Sequence, residues 1–339
     1  MSQSNINEVV LLTGGLGYIA SHAAVLLLDQ GYSVVLLDNL SNSDLGVHRS
    51  LERISGVNIP FIHGDVRDRA LLTDTIRTHS ITSVMHFAGL KAVGESVEKP
   101  LYYYDVNVGG ALSLIDAMIE TPVRRLVFSS SATVYGVPQV LPIPEEHPRH
   151  AMSPYGRSKL MIEEMLEDLC ESDPSWRVAS LRYFNPAGAH ESGLIGENPR
   201  GIPNNLTPFI MRVACGQLEK LQVFGGDYET PDGTGVRDYI HVMDLVEGHL
   251  AAIEFLKSNS GHHAINLGTG SGVSVLQMIQ EFQKVSSQEI PFDIVGRRPG
   301  DVPICYADVK AAGRLLHWKA RRSVSDMCKS MWDFQSHIA

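Results

Sequence analysis

Tyr155 and Lys159 stand four residues apart in the tract Ser153-Pro-Tyr-Gly-Arg-Ser-Lys159, and a hydroxyl-rich tract, Ser129-Ser-Ser-Ala-Thr-Val-Tyr-Gly136, precedes them. On a helix this spacing sets a phenol and an ammonium on one face, about 5 to 6 Å apart. A free tyrosine loses its proton near pH 10, so it is a poor base at neutral pH unless something favours the phenolate. A cation on the same face does so, and a positively charged nicotinamide ring would add to it. The tyrosine can then exchange a proton with an alcohol or sugar hydroxyl. Tyr and Lys at this spacing are also ordinary on solvated helix faces, so the elements around them decide the matter.

Those elements read as alternating strands and helices. Val9 to Leu12 is an unbroken apolar run, as a buried parallel strand should be. It feeds Thr13-Gly14-Gly-Leu-Gly17-Tyr-Ile-Ala20, a helix through Leu28, and a second strand, Ser33 to Leu37, that ends at Asp38. Gly14 and Gly17 permit a tight turn and let a pyrophosphate approach the helix N-terminus. Asp38, 21 residues after Gly17, is spaced to accept from the adenosine ribose hydroxyls. Its charge repels a 2′-phosphate and Asn39 supplies no cation, so the sequence predicts NAD rather than NADP. Ala20 takes the third glycine position, where its methyl is expected to reduce cofactor affinity.

The rhythm continues with strands at Ile59 to Ile62, Thr82 to Met85, Val123 to Phe128 and Val178 to Leu181. Asp65, after the first of these, reads either as an adenine contact or as the N-cap of a helix from Arg67 to Thr78. A long helical pattern runs from Leu101 to Ile119 with Asn107 inside it. The fold class is therefore α/β: a doubly wound parallel (Rossmann) sheet with a smaller mixed C-terminal substrate domain. The rhythm changes near residue 185, which divides the chain into an NAD-binding domain, 1–185, and a substrate domain, 186–339. A segment near 242–256 returns to the first.

Hydrophobic residues make up 44 % of the 339 and charged ones 19 %, an ordinary globular profile. A net charge of −10 gives nucleic acid or an anionic membrane no electrostatic attraction. No apolar run approaches the roughly 20 residues a bilayer requires, and the polar start, Met1 to Glu8, has no basic leader. Four cysteines, Cys170, Cys215, Cys305 and Cys328, have no metal-binding spacing and fit reduced thiols in a cytoplasmic protein.

Nine tracts together resemble the extended short-chain dehydrogenase/reductase superfamily, and within it the UDP-glucose (UDP-galactose) 4-epimerase family, over nearly the whole length. They are TGGLGYIASH, LLDNL, HFAGLKAVGESV, SSSATVYG, SPYGRSKLM, LRYFNPAGAH, GIPNNL, DGTGVRDYIHVMDL and RPGD. The resemblance implies Tyr155 as base, Lys159 as ribose ligand and tuner of the phenol, and Ser131 as partner of the reacting hydroxyl, with Thr133 as a helper. It implies cofactor contacts at Gly14, Gly17, Tyr18, Ile19, Asp38, Asn39, Asp65, Val66, Phe87, Ala88, Lys91 and Phe184. Contacts to a UDP-sugar are implied at Asn185, Asn205, Leu206, Phe224, Arg237, Arg298 and Asp301. A guanidinium fork matches phosphate oxygens, which suits Arg237 and Arg298 to a diphosphate.

The reaction implied is inversion at C4 of a UDP-hexose through transient oxidation by bound NAD, in a homodimer of galactose metabolism. Apolar positions on several faces of Leu101 to Ile119 and Pro154 to Leu169 are compatible with a four-helix dimer contact. A sugar-nucleotide 4,6-dehydratase is the nearest rival, but relatives of that kind carry an Asp-Glu pair about where this chain has Ala132-Thr133. A silent NAD-binding protein on the same fold is the rival of another class. Cys305 matches a family position that borders the sugar and is tyrosine in some members. A thiol there leaves space for an N-acetyl group, which predicts UDP-GlcNAc and UDP-GalNAc as additional, or even principal, substrates; the competing reading is a buried small apolar residue.

Overall fold

The computed structural model describes residues 8–199, 205–298 and 300–338. Gly201 to Asn204 of the GIPNNL tract and Pro299 of RPGD lie outside them. The central sheet has seven parallel strands: β1 (Val9–Thr13), β2 (Ser33–Asp38), β3 (Phe61–His63), β4 (Ser83–His86), β5 (Arg125–Ser131), β6 (Arg177–Tyr183) and, from much later in the chain, β11 (Gly261–Leu267). Their order is β11-β6-β5-β4-β1-β2-β3. The chain moves outward from β1 to β3, then crosses back to β4 on the other side of β1. That reversal opens a crevice at the carboxyl ends of β1 and β4, where open α/β sheets take their ligands.

Both faces of the sheet are covered. One core joins Val10, Leu12, Leu36 and Val127 to α1 (Tyr18–Asp29) and α9 (Val242–Phe255); the other joins Leu11, Val35, Val84 and Phe128 to α3 (Arg69–Thr78), α6 (Gly110–Ile119) and α7 (Pro154–Ser172). α9 packs beside α1, and β11 pairs with β6 along its whole length, so the return to the sheet runs on to Leu267, beyond residue 256.

Residues 101–119 are not one regular helix. α5 (Pro100–Tyr103) passes into a π-helical turn, Tyr104–Gly109, before α6 begins. The widened turn sets Asn107, 1 % exposed, against the loop after β4: its Oδ1 accepts from Leu90 N at 2.7 Å and its Nδ2 donates to Leu90 O at 3.1 Å and to Ser158 Oγ at 3.0 Å. Inserted π turns recur at functional sites because they redirect one side chain from a straight helix.

A third core gathers α8 (Leu206–Ala214), α10 (Val275–Ser286) and α12 (Val324–Ile338) around small sheets. These sheets pair β10 (Tyr239–His241) with β7 (Asn185–Ala187), β12 (Val273–Ser274) and β14 (Ile304–Cys305) with β9 (Val236–Arg237), and β13 (Phe292–Val295) with β8 (Leu221–Phe224).

Candidate active site

Residues nominated from the sequence as cofactor contacts fall at the carboxyl ends of the parallel strands, because in-register strands end in a row. Gly14, Gly17, Tyr18 and Ile19 form the turn from β1 into α1, Asp38 and Asn39 end β2, Asp65 and Val66 follow β3, Phe87, Ala88 and Lys91 follow β4, and Phe184 follows β6. Gly14 has φ +66°, and a Cβ there would stand 2.9 Å from Ala88 Cα. Only glycine lets the two loops meet across the switch point. No side chain caps α1 at Gly17, so the free N–H groups of its first turn face the crevice, as a pyrophosphate requires.

Asp38, 7 % exposed, is held by Leu16 N at 3.1 Å on Oδ2, and by Leu40 N at 2.8 Å and Ser43 Oγ at 2.7 Å on Oδ1. Those donors fix a carboxylate where adenosine hydroxyls would lie, so the residues present fit NAD. Asp65 is not a helix cap: Asp68 caps α3 by accepting from Leu71 N. Asp65 instead accepts from Asn39 Nδ2 at 3.1 Å and from Arg67, whose guanidinium holds its carboxyl well below the usual range. Tyr18 Oη donates to Gly188 O at 2.6 Å, joining the nucleotide turn to the second half of the chain. Ala20 is buried at 1 %, inside α1.

β5 ends at Ser131, which faces Tyr183 in β6, and a single turn of 3-10 helix, Ala132–Val134, carries the chain away. Thr133 Oγ1 donates to Ser131 Oγ at 3.0 Å and Thr133 N does so at 3.2 Å. α7 starts beside this turn: Ser153 caps it by accepting from Gly156 N, and a Cβ on Gly156 would lie 3.0 Å from Thr133 O. The cap and the missing side chain bring Tyr155 and Lys159 over the end of β5, where the Ser131 hydroxyl stands close enough to act on the Tyr155 phenol.

The electrostatics differ from the expectation drawn from helix spacing. Burial pushes the Tyr155 phenol up, and the neighbouring Ser131 hydroxyl offsets this in part; Lys159 is not among the groups that shift it. The Lys159 ammonium lies 6.0 Å from the centre of the Tyr155 ring and donates instead to Ser129 O at 2.7 Å. Burial lowers Lys159 to about 8, with Glu163, one helical turn on, acting to raise it. The chain's own residues therefore leave Tyr155 protonated at neutral pH.

Beneath α7 lies a polar layer that sequence reasoning missed. Arg182, 2 % exposed, donates to Glu163 at 2.7 and 3.0 Å, to Tyr135 Oη at 2.9 Å and to Glu145 O at 2.8 Å, while Ser130 Oγ donates to Glu163 Oε1. Tyr183, whose Oη donates to His249 Nε2, is also absent from the motif-based set. An arginine in a strand between apolar neighbours is the one signal the sequence offered.

The residues nominated for a UDP-sugar form two groups. Phe224, Arg237, Arg298, Asp301 and Cys305 come together: Arg298 lies 5.7 Å over the Phe224 ring and donates to Asp301 at 3.0 Å, Arg237 approaches Asp301 to 3.8 Å, and Cys305 is opposite Arg237 between β14 and β9. Asn185 joins them through Asn185 N, which donates to Asp238 O at 2.9 Å. Asn205 and Leu206 stand at the start of α8, where Asn205 Nδ2 donates to Glu197 at 3.1 Å, the carboxylate that also takes Lys91 at 2.9 Å. Cys305 packs against the apolar group of Val134, Tyr135, Phe184 and Ala307, and burial pushes its thiol up to about 11. Among the described residues, no group of three or more His, Cys, Asp or Glu could hold a metal ion, and no helix is long and apolar enough to cross a membrane.

The family described as GDP-mannose 4,6 dehydratase matches residues 11–331. UDP-glucose 4-epimerase of Bacillus subtilis (strain 168) is 53 % identical over 96 % of this chain and 96 % of its own. Among solved structures, UDP-glucose 4-epimerase from Stenotrophomonas maltophila, with bound NAD and formylated UDP-arabinopyranose, superposes with a TM-score of 0.96 at 48 % identity, covering 98 % of this chain and 99 % of that one. The enzyme from Bifidobacterium longum, in complex with NAD+ and UDP, gives 0.94 at 50 %, covering 97 % and 98 %.

Proposed function

The chain belongs to the UDP-glucose 4-epimerase family, within the wider dehydratase-described family that spans it, and from that premise we propose that it interconverts UDP-glucose and UDP-galactose with tightly held NAD. The observation that carries this reading is the meeting of Ser131, Tyr155 and Lys159 at the end of β5, beside a crevice shaped for NAD.

Bound NAD supplies a hydride acceptor at C4 and a positively charged ring. Burial alone keeps Tyr155 protonated, so the positive ring of bound NAD is what would favour its phenolate, and in that form Tyr155 takes the proton of the sugar 4-hydroxyl as C4 gives up its hydride and that oxygen becomes a carbonyl. Lys159, pinned by Ser129 O, bears on the nicotinamide ribose and keeps its own proton below about pH 8. Arg237 and Arg298 hold the diphosphate while the 4-keto sugar turns about its link to it; C4 would then recover, on its other face, the hydride held by the cofactor as Tyr155 returns the proton to the oxygen, and the inverted sugar leaves. The cofactor and UDP-sugar sets nominated above act as those contacts.

Elimination of water, as the dehydratase description of the wider family suggests, requires a further acid and base, and the turn Ser131-Ala132-Thr133 offers only hydroxyls there. The space left by Cys305 extends the substrates to UDP-GlcNAc and UDP-GalNAc. A homodimer is supported by the exposed apolar side chains Leu101, Tyr102, Leu112 and Met161 on α5 to α7, and a cytoplasmic setting by four unpaired thiols. Incubating the purified protein with each of the four UDP-sugars and no added cofactor, then separating the epimers, tests the whole reading. Failure to interconvert any of them overturns it.

A further inference from the structure

Asp238 joins β9 to β10, is fully buried, and has no cation beside its carboxylate among the described residues. Four donors converge on it instead. Thr269 N at 2.8 Å and Thr269 Oγ1 at 2.6 Å meet Oδ1, while Gly270 N at 3.0 Å and Ala307 N at 3.1 Å meet Oδ2. The backbone of the same residue is engaged in both directions: Asp238 N donates to Cys305 O at 3.0 Å and Asp238 O accepts from Asn185 N at 2.9 Å. One residue thus ties together β7, β14 and the turn after β11, and its sequence neighbour is Arg237. A Cβ on Gly268 would fall 2.5 Å from Oδ2, so the turn is pressed against the carboxylate.

We infer that Asp238 is the positioning residue that sets Asn185, Arg237 and Cys305 relative to one another, and so fixes the shape of the UDP-sugar pocket, an inference that rests on the function proposed above. The chemistry demands a carboxylate. Every group facing it is a donor, and an ionised carboxylate is acceptor-only on both oxygens. Asparagine has the same size but one amide end would present its own hydrogens to two N–H or O–H donors. Buried donors left without acceptors are costly, and the strands relieve the clash by moving apart. The residues displaced are those nominated to touch the sugar and the diphosphate, not those that line the NAD crevice.

The test is Asp238→Asn, assayed as purified with UDP-galactose and UDP-GalNAc, with retained NAD measured after gel filtration and UDP affinity measured by calorimetry. The expected result is a KM raised about tenfold for both sugars, kcat within about threefold of the parent, a changed ratio of acetylated to plain turnover, and NAD content unchanged. KM and UDP affinity within twofold of the parent, or loss of NAD in parallel with activity, overturns the assignment. If Asp238→Asn does not fold, Thr269→Val, which deletes the 2.6 Å hydroxyl bond to Asp238 together with two 3.3 Å bonds to the Ser271 backbone, takes its place, with about a threefold rise in KM expected and an unchanged KM overturning the assignment. A parent that turns over neither sugar refutes the proposed function, and UDP affinity then still reads the pocket in parent and variant.

Discussion

Lys159 donates its ammonium proton to the carbonyl oxygen of Ser129 at 2.7 Å, from one helical turn below Tyr155. This bond aims the cation past the phenol, which separates what the two side chains do. Tyr155→Phe is expected to lower kcat by about 10²- to 10⁴-fold, the span of lost acid-base catalysis, while NAD remains bound. Lys159→Met is expected to lose both turnover and NAD, read as absorbance of released nucleotide. Full activity in Tyr155→Phe rules out the phenol as base.

Cys305 sits in register with Arg237 and against Phe184. Cys305→Tyr fills the space beside the sugar, so turnover of UDP-GlcNAc and UDP-GalNAc is expected to fall at least tenfold while that of UDP-glucose and UDP-galactose holds, since a bulky clash counts only against the larger ligand. Equal loss for both pairs shows that Cys305 is merely a packed small residue.

Glu163 and Arg182 form an ion pair with almost no exposure on either side. Removing one charge strands the other, so Glu163→Gln is expected to cost about 3 to 5 kcal/mol in urea unfolding. Replacing Asn107 with Ala leaves the half-buried Leu90 amide without its partner, at about 1 kcal/mol, and frees the loop that carries Ala88 and Lys91. NAD dissociation is therefore expected to quicken in Asn107→Ala.

Burial lowers His22 and His86 to about 3, and His241 and His249 to about 4. Above pH 6.5 these rings are neutral folded or unfolded and contribute no slope. Below it the unfolded chain binds the protons that the folded one refuses, so stability falls with pH by up to about 1.4 kcal/mol per unit for each ring, levelling off near pH 3 to 4. The urea midpoint is expected to drop clearly between pH 6.5 and 5; equal midpoints at those values contradict it.

The turn from β1 to α1 was legible because Gly14 and Gly17 have a meaning that depends on backbone alone. Tyr155, Lys159 and Ser131 were legible because helix spacing and a strand end suffice to bring them together. The charge balance at Tyr155 was not, since a sequence states how far Lys159 is from the phenol and nothing of the Ser129 carbonyl that accepts its hydrogen bond. The π turn escaped for a related reason: an extra residue in one turn barely alters the apolar period around Asn107. Asp238, Glu163 and His249 act through partners 19 to 69 residues away, and only the folded chain joins them. α9 advertised its return through its apolar face, whereas Gly261-His-His-Ala-Ile-Asn-Leu267 is too polar at its start to read as the edge of a buried sheet.

Because β11 pairs with β6 from some eighty residues further along, the sheet stays open on that side until residue 267 has left the ribosome. A nascent or truncated chain ending near residue 185 exposes the unpaired amides and carbonyls of β6, a template for any extended neighbour. The seven-stranded sheet thus closes only after most of the chain has been synthesised, and a chaperone that shields β6 meanwhile has a defined interval in which to act.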